Sequence, residues 1–254
     1  MTSHRLLQRA ASIGRHGTLG VVLLASAGCG SLLPAATPQP AFYTLDSAAK
    51  AATASTPVLA GVQANTALPL LVINLPQAAA GFNSAKIIYF RQPHQLEYYA
   101  HSEWVDTPAR MLAPLLVAAL APYAQTGSAN AGGPAASALF SAVVSAPSAV
   151  AADLTLETQL LRLQQDFGAL PSQVRLTLRA HLIDSATRQV LASREYDHTQ
   201  ASTSEDARGG VDAAHRVVDQ VLADLARWCT AAAAHWRPDD TRPGVELNLR
   251  VVAR

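Results

Sequence analysis

Cysteine is nearly absent from this chain, and its scarcity limits what can hold the fold together. Of 254 residues only Cys29 and Cys229 are cysteines, so a framework of several disulfides is excluded. Cys229 directly follows Trp228 and lies one helical turn after Leu225, which predicts a buried, unreactive thiol on a helix. The fold must therefore rest on a hydrophobic core, and the chain is long enough to bury one in a single domain.

A surplus of positive charge is lacking as well. The chain holds 19 Lys and Arg against 18 Asp and Glu, and three of these arginines lie within the first 15 residues. Without that segment, 16 basic residues face 18 acidic ones. Recognition of nucleic acid needs a basic face, so nucleic acid is not expected as a partner.

The familiar catalytic spacings are missing too. The sequence has no G-x-S-x-G nucleophile elbow, no G-x-x-x-x-G-K phosphate loop and no H-x-x-x-H pair. His181 lies on a strand pattern, and His215 and Asp219 lie one turn apart on a helix pattern, where solvated surface positions are expected. We therefore predict a protein that is not an enzyme and needs no cofactor or metal.

The first positive signal is for export. Arg5, Arg9 and Arg15 precede a short apolar run, residues 19–27, with no acidic residue among them, as in a secretory signal. Small residues directly before Cys29 are typical of lipoprotein processing, so residues 1–28 are predicted to be a signal peptide and Cys29 to carry the lipid. The run is shorter than the about 20 residues that span a bilayer. Ser26 stands where an aliphatic residue is usual, so an ordinary cleaved signal or a short membrane anchor is the alternative.

The residues after Cys29 indicate how a folded domain would be held. Residues 29–41 contain Pro34, Pro38 and Pro40, which favours a semi-extended tether. No aspartate follows Cys29, and that residue is the usual inner-membrane retention signal in enteric bacteria. We therefore expect the outer membrane, on its periplasmic face.

The remainder, residues 42–254, reads as one α+β domain. Strict alternation of apolar and polar residues over 174–182 predicts a strand, and apolar residues stepping by three or four over 205–228 predict an amphipathic helix. Pro108 suits the first turn of another helix, residues 110–121. Further strands are predicted at residues 42–45, 70–76, 85–91, 96–100, 139–144, 153–167, 190–196 and 245–251. The fold class expected is a mostly antiparallel sheet with two main helices packed on one face.

Aromatic residues are few, 6% of the chain, and several cluster in the predicted hairpin. Tyr89, Tyr98, Tyr99 and Trp104 are candidates for a partner-facing or lipid-facing surface, since amphipathic aromatics are common at interfaces. The alternative is core packing and cross-strand pairing. Neighbouring residues of a strand point to opposite faces, so only one of Tyr98 and Tyr99 is expected on the exposed side.

The order of these segments resembles the ABC-type transport auxiliary lipoprotein family. The matching pieces are Phe42-Tyr43-Thr44-Leu45, Val72-Ile73-Asn74-Leu75-Pro76, Ile87-Ile88-Tyr89, the run from Leu96 to Trp104, Asp153-Leu154-Thr155-Leu156, and the helix that ends near Leu225 and Trp228. The resemblance spans about residues 40–230. It implies a lipid-anchored protein without activity of its own, which works with an ATPase, a permease and a mammalian-cell-entry (MCE) domain substrate-binding protein. A homo-oligomer is a further expectation.

Two other classes of function stay open from the residues alone. One is a structural outer-membrane lipoprotein of a secretion or export complex. The other is a periplasmic hydrolase, for which no candidate catalytic pair is evident.

Overall fold

The computed structural model describes residues 39–46, 68–124 and 138–237, which form one mixed sheet and two main helices. The strands are β1 (Ala41–Tyr43), β2 (Leu70–Ile73), β3 (Gln77–Ala78), β4 (Lys86–Gln92), β5 (Gln95–Trp104), β6 (Ala142–Ser145), β7 (Leu154–Asp166), β8 (Gln173–Asp184) and β9 (Val190–Ala201). The helices are α1 (Pro108–Leu120) and α2 (Ala207–Ala233), and a short 3-10 turn, Ala121–Tyr123, follows α1.

Three long antiparallel strands make up one half of the sheet. β7 pairs with β8 from Leu154–Asp184 to Asp166–Gln173, and β8 pairs in turn with β9. The inward positions of β8 are apolar and buried, because its even-numbered residues from Val174 to Leu182 alternate with polar ones. The alternation read from the sequence is thus confirmed.

The other edge of β7 is shared by three short strands. β2 pairs with its beginning, β3 with its middle and β4 with its end, all in parallel. β5 then pairs antiparallel with β4, while β1 and β6 add in parallel to β5 and β2. A register shift between Leu160 and Arg162 interrupts the β7–β8 ladder, and such a bulge increases the local twist of a sheet.

Helix α1 begins where the sequence indicates. Thr107 is its N-cap residue and Pro108 its first residue, where a missing N–H leaves no hydrogen bond unmade. Asp106 accepts a hydrogen bond from the Thr107 backbone N–H at 2.7 Å. The helix continues through the exposed Pro114 to Leu120.

Helix α2 buries the face that its sequence pattern predicts. Asp206 caps it by accepting from the Gly209 N–H at 2.8 Å. The predicted stripe is Val211, Ala214, Val218, Val221, Leu225 and Trp228. The first five are buried, and Trp228 is half-buried against the core. The helix ends at Ala233, five residues beyond the predicted end.

Both helices pack against the sheet and against each other. α2 lies against β8 and β9, and α1 lies against β2, β3, β6 and β7. The shared core includes Leu115 and Leu116 of α1, Leu156 and Leu178 of the sheet, and Cys229 of α2. The α+β class is therefore confirmed, and Cys229 is buried as predicted. Burial raises the pKa of its thiol to about 12.

Antiparallel pairs dominate the long strands, while the short strands join in parallel. The alternation of a short strand shows which face is apolar, but not which neighbour it joins or in which direction. The predicted strand at residues 245–251, the signal peptide and most of the tether lie outside the described residues.

Candidate functional site

The β4–β5 hairpin carries the aromatic candidates on both sides of a tight turn. Pro93 and His94 form the turn between the paired residues Gln92 and Gln95. His94 has a φ of 66°, and proline followed by a residue of positive φ is the pattern of a type II turn. The β4–β5 ladder shifts register between Phe90 and Gln92, directly before this turn.

Tyr89 lies inside the fold. It pairs directly with Glu97, and its hydroxyl donates to Glu97 Oε2 at 2.9 Å. Its ring lies 4.6 Å from the Tyr99 ring and 5.7 Å, edge on, from Phe167. The Arg91 guanidinium covers the ring at 5.1 Å. These neighbours leave the side chain only 8% exposed.

Trp104 is also interior, at 4% exposure. It ends β5 directly before α1, where it joins the core cluster that holds Leu112 and Leu116. The prediction of a partner-facing aromatic group needs correction for Tyr89 and Trp104, because no partner can reach either ring without opening the core. Tyr98 is 47% exposed and Tyr99 is partly buried, so Tyr98 alone of the four offers a free surface.

Tyr99 instead reaches inward, to a buried amide. Its hydroxyl donates to Gln165 Oε1 at 2.8 Å, and burial raises the pKa of this tyrosine. Gln165 Nε2 donates to Ser172 Oγ at 2.8 Å and to Ser202 Oγ at 3.2 Å. This one amide therefore links β5 and β7 to the segments that precede β8 and α2. A buried amide costs little free energy only when its polar atoms are hydrogen-bonded.

Gly210 makes room for this amide. A Cβ at Gly210 would lie 2.2 Å from Gln165 Oε1, far closer than nonbonded atoms approach. Beside the amide is a cavity of about 10 Å³ lined by side chains such as Ile87, Trp104 and Val174. That volume is about the least that holds one water. The arrangement is a neutral network of polar groups that are hydrogen-bonded to each other, and it holds the surrounding segments in position.

A second buried polar centre lies at the opposite end of the sheet. Asp184 is 1% exposed, and its Oδ1 accepts from the backbone N–H of Ala186 and Thr187 at 3.0 and 2.8 Å. Its Oδ2 accepts from Trp236 Nε1 at 2.8 Å. Burial acts to raise the pKa of Asp184, but these hydrogen bonds outweigh it and lower the pKa below its ordinary value.

Three other polar side chains, those of His215, Asp153 and Glu157, have structural partners. His215 Nε2 lies 2.9 Å from the Thr44 carbonyl oxygen, which links α2 to the segment after β1. Asp153 Oδ2 accepts from the Leu70 N–H, and Glu157 Oε1 accepts from Asn74. His181 is half-buried rather than solvated, with its Nδ1 enclosed.

Sequence reasoning did not find the hydrogen-bond network of Gln165 or the buried contacts of Asp184. Each residue makes its tertiary hydrogen bonds with residues distant in the chain, 66 residues away for Tyr99 and 52 for Trp236. A single glutamine or aspartate on a strand gives no signal of such a partner. Cys29 lies outside the described residues.

Within residues 39–46, 68–124 and 138–237, no group of three His, Cys, Asp or Glu side chains is placed to hold a metal ion. In the same ranges no helix has the length and apolarity needed to cross a membrane.

Comparison with known proteins gives a family and a fold. The family model described as "ABC-type transport auxiliary lipoprotein component" matches residues 43–226. The crystal structure of a Xanthomonas campestris protein of family DUF330 is 22% identical, with a TM-score of 0.58 over 78% of this chain and 97% of that one. An uncharacterized protein is 14% identical, with a TM-score of 0.53 over 75% and 99%. At these identities the likeness shows a shared fold. The comparison with curated proteins gives no match.

Proposed function

Because the chain belongs to the ABC-type transport auxiliary lipoprotein component family, we propose that it is a non-catalytic lipoprotein that docks an ABC-type transporter at the outer membrane. The lipid is attached to Cys29, and the folded domain stands in the periplasm. Its partner is the periplasmic part of an MCE-type lipid transport system, which has its own permease and ATPase.

The family match over residues 43–226 carries this proposal. The match covers almost the whole described sheet and most of α2, so it concerns the folded domain rather than the anchor. The lipid anchor is supported separately by the small residues before Cys29 and by the proline-containing segment after it.

The chemistry of the interior agrees with a docking role. The buried amide of Gln165 and the buried carboxylate of Asp184 are both saturated by hydrogen bonds within the domain. Groups held in this way fix the relative positions of strands and helices. A rigid scaffold that presents a fixed surface is what an adaptor requires.

Removal of the lipid site tests the anchor. We expect Cys29→Ala to move the protein from the outer-membrane fraction to the soluble periplasm, because a polar domain without acyl chains has no stable hold on a bilayer. The matched control is Cys229→Ala, which changes the other cysteine and should leave fractionation unchanged. Membrane localisation of the Cys29→Ala protein would contradict lipid anchoring.

Co-purification tests the partner. The full-length, affinity-tagged protein is cross-linked in its native cells and its partners are identified. An MCE-domain protein with a permease and ATPase supports the proposal. Secretin or lipopolysaccharide-export components would refute it in favour of a structural assembly lipoprotein, and turnover of ester or glycan substrates by the purified protein would refute the non-catalytic role.

A further inference from the structure

One end of the sheet gathers two hairpin connections. β4 and β7 run parallel, since Tyr89 pairs with Gln165 and Phe90 with Asp166. The β4–β5 turn and the β7–β8 loop, residues 167–172, therefore lie at the same end of the sheet. We call this the turn end, defined by Pro93, His94 and residues 167–172.

The turn end exposes several apolar side chains. Leu170 is 90% exposed, the most exposed large apolar side chain among the described residues, and its neighbours Ala169 and Pro171 are exposed as well. Along the hairpin, Tyr98 is 47% exposed, and Phe90 and its cross-strand partner Leu96 are half-buried. A leucine this exposed leaves most of its apolar surface in water, so a contact that covers it is favourable.

The loop that carries Leu170 is held at both of its ends. The Phe167 N–H donates to the Phe90 carbonyl at 2.9 Å, and the Phe167 ring packs on Tyr89. The Gly168 N–H donates to Asp166 Oδ1, and the Ser172 N–H donates to Glu205 Oε1. The fold therefore presents the leucine outward from a fixed base.

The direction of β1 sets how far the anchor segment must reach to come level with the turn end. β1 pairs in parallel with β5, Ala41 with Ser102, and β5 leads away from the turn end. The first residue of β1, Ala41, is therefore the one nearest the turn end. From Gln95 to Ser102 the strand covers about 23 Å at 3.3 Å per residue. The twelve residues from Cys29 to Pro40 can span at most about 40 Å, so a lipid on Cys29 can lie level with Leu170.

We propose that the turn end rests on the phospholipid bilayer that holds the Cys29 lipid, with Leu170 inserted at the boundary of headgroups and acyl chains. This inference rests on the proposed lipid anchor. Tyr98 suits the headgroup level, because its ring is apolar and its hydroxyl can remain hydrated. The exposed Arg91 guanidinium, stacked on Tyr89, is placed to meet lipid phosphate.

Depth-dependent quenching tests the contact. The full acylated chain, with Cys229→Ala and Leu170→Cys, is labelled at position 170 with an environment-sensitive fluorophore. It is reconstituted into vesicles of phosphatidylethanolamine and phosphatidylglycerol, with and without brominated acyl chains. The matched control is Val190→Cys, because Val190 is 57% exposed at the opposite end of β8 and β9.

The expected result is a blue shift and a loss of fluorescence in brominated vesicles at position 170, with neither change at position 190. Equal quenching at both positions, or none at 170, overturns the proposal. Shielding of position 170 only when a transporter protein is added also overturns it, in favour of a protein contact.

Failure of the lipid anchor is recognised separately. Mass spectrometry of the reconstituted protein shows whether Cys29 carries acyl chains. If it does not, the proposed anchor is refuted. The same labelled chains are then attached through an N-terminal histidine tag to nickel-chelating lipids in those vesicles. Quenching at position 170 but not at position 190 again supports the membrane contact, and any other result overturns it.

Discussion

The buried carboxylate of Asp184 should make the stability of this domain depend on acid. Asp184 holds the β8–β9 turn through Ala186 and Thr187 and the chain after α2 through Trp236. Its pKa in the folded protein lies below the ordinary value, against the effect of burial. The unfolded chain therefore binds a proton at a higher pH than the folded one does, so acid favours unfolding.

The magnitude follows from the hydrogen bonds that a substitution removes. Asp184→Ala leaves two backbone N–H groups, a hydroxyl and an indole N–H without their charged acceptor. Loss of a buried network of this kind should reduce the free energy of unfolding by about 3–5 kcal/mol. Trp236→Phe removes one of these donors and should cost about 1–2 kcal/mol.

Urea unfolding followed by circular dichroism, repeated between pH 3 and pH 8, measures both effects. The difference in the free energy of unfolding between wild type and Asp184→Asn should be constant above about pH 5. It should shrink as the pH falls below about 4, the ordinary pKa of aspartate, and through the lower pKa of the folded state. Asp166→Asn is the control, since this exposed carboxylate accepts from Gly168 N–H and an asparagine oxygen can replace it. The reasoning would be refuted if this difference in the free energy of unfolding stayed constant down to pH 3. It would also be refuted if Asp184→Ala lowered the free energy of unfolding no more than Asp166→Asn does.

Two smaller predictions concern the interior. Gly210→Ala should lower the midpoint of urea unfolding, because the added Cβ meets Gln165 Oε1, and Gln165→Ala should relieve that loss in the double variant. Gly209→Ala places its Cβ 2.3 Å from Ser204 backbone atoms, so Gln165→Ala should give it no relief, and equal relief for both glycines would contradict this account. Cys229 should stay unmodified by a thiol reagent at pH 8 until the chain unfolds, because burial raises its pKa to about 12. Rapid labelling in the native state, at the rate found in urea, would contradict that assignment.

Periodic sequence patterns predicted which faces of the long strand β8 and of helix α2 are buried. The alternation over residues 174–182 and the stripe from Val211 to Leu225 fixed a strand face and a helix face correctly. Each pattern records which side of an element meets the core, and burial in the structure follows it. No such pattern indicates how the short strands pair, because the pairing of β2, β3 and β4 depends on their contact with the edge of β7.

The candidate surface was predicted less well, for a related reason. Aromatic residues serve both cores and interfaces, so the identity of Trp104 or Tyr89 does not separate the two roles. Alternation distinguishes Tyr98 from Tyr99 as neighbours on opposite faces, and the structure shows which one is exposed. The burial of Trp104 depends on the approach of α1, which is a tertiary event without a local signature.

The shared edge of β7 also has a consequence for the order in which the chain folds. The second half of the chain contains β7, β8, β9 and α2 in consecutive order, so these elements can pair by closing short loops. The Leu70 N–H of β2, in contrast, donates to Asp153, which is 83 residues away. Long-range closure is slower, so the part synthesised first should be completed last. In pulse-labelled hydrogen exchange, β7 to β9 should gain protection before β2, and the reverse order would contradict this view. β2 and β3 can thus join the edge of β7 only after residues 154–166 have been made.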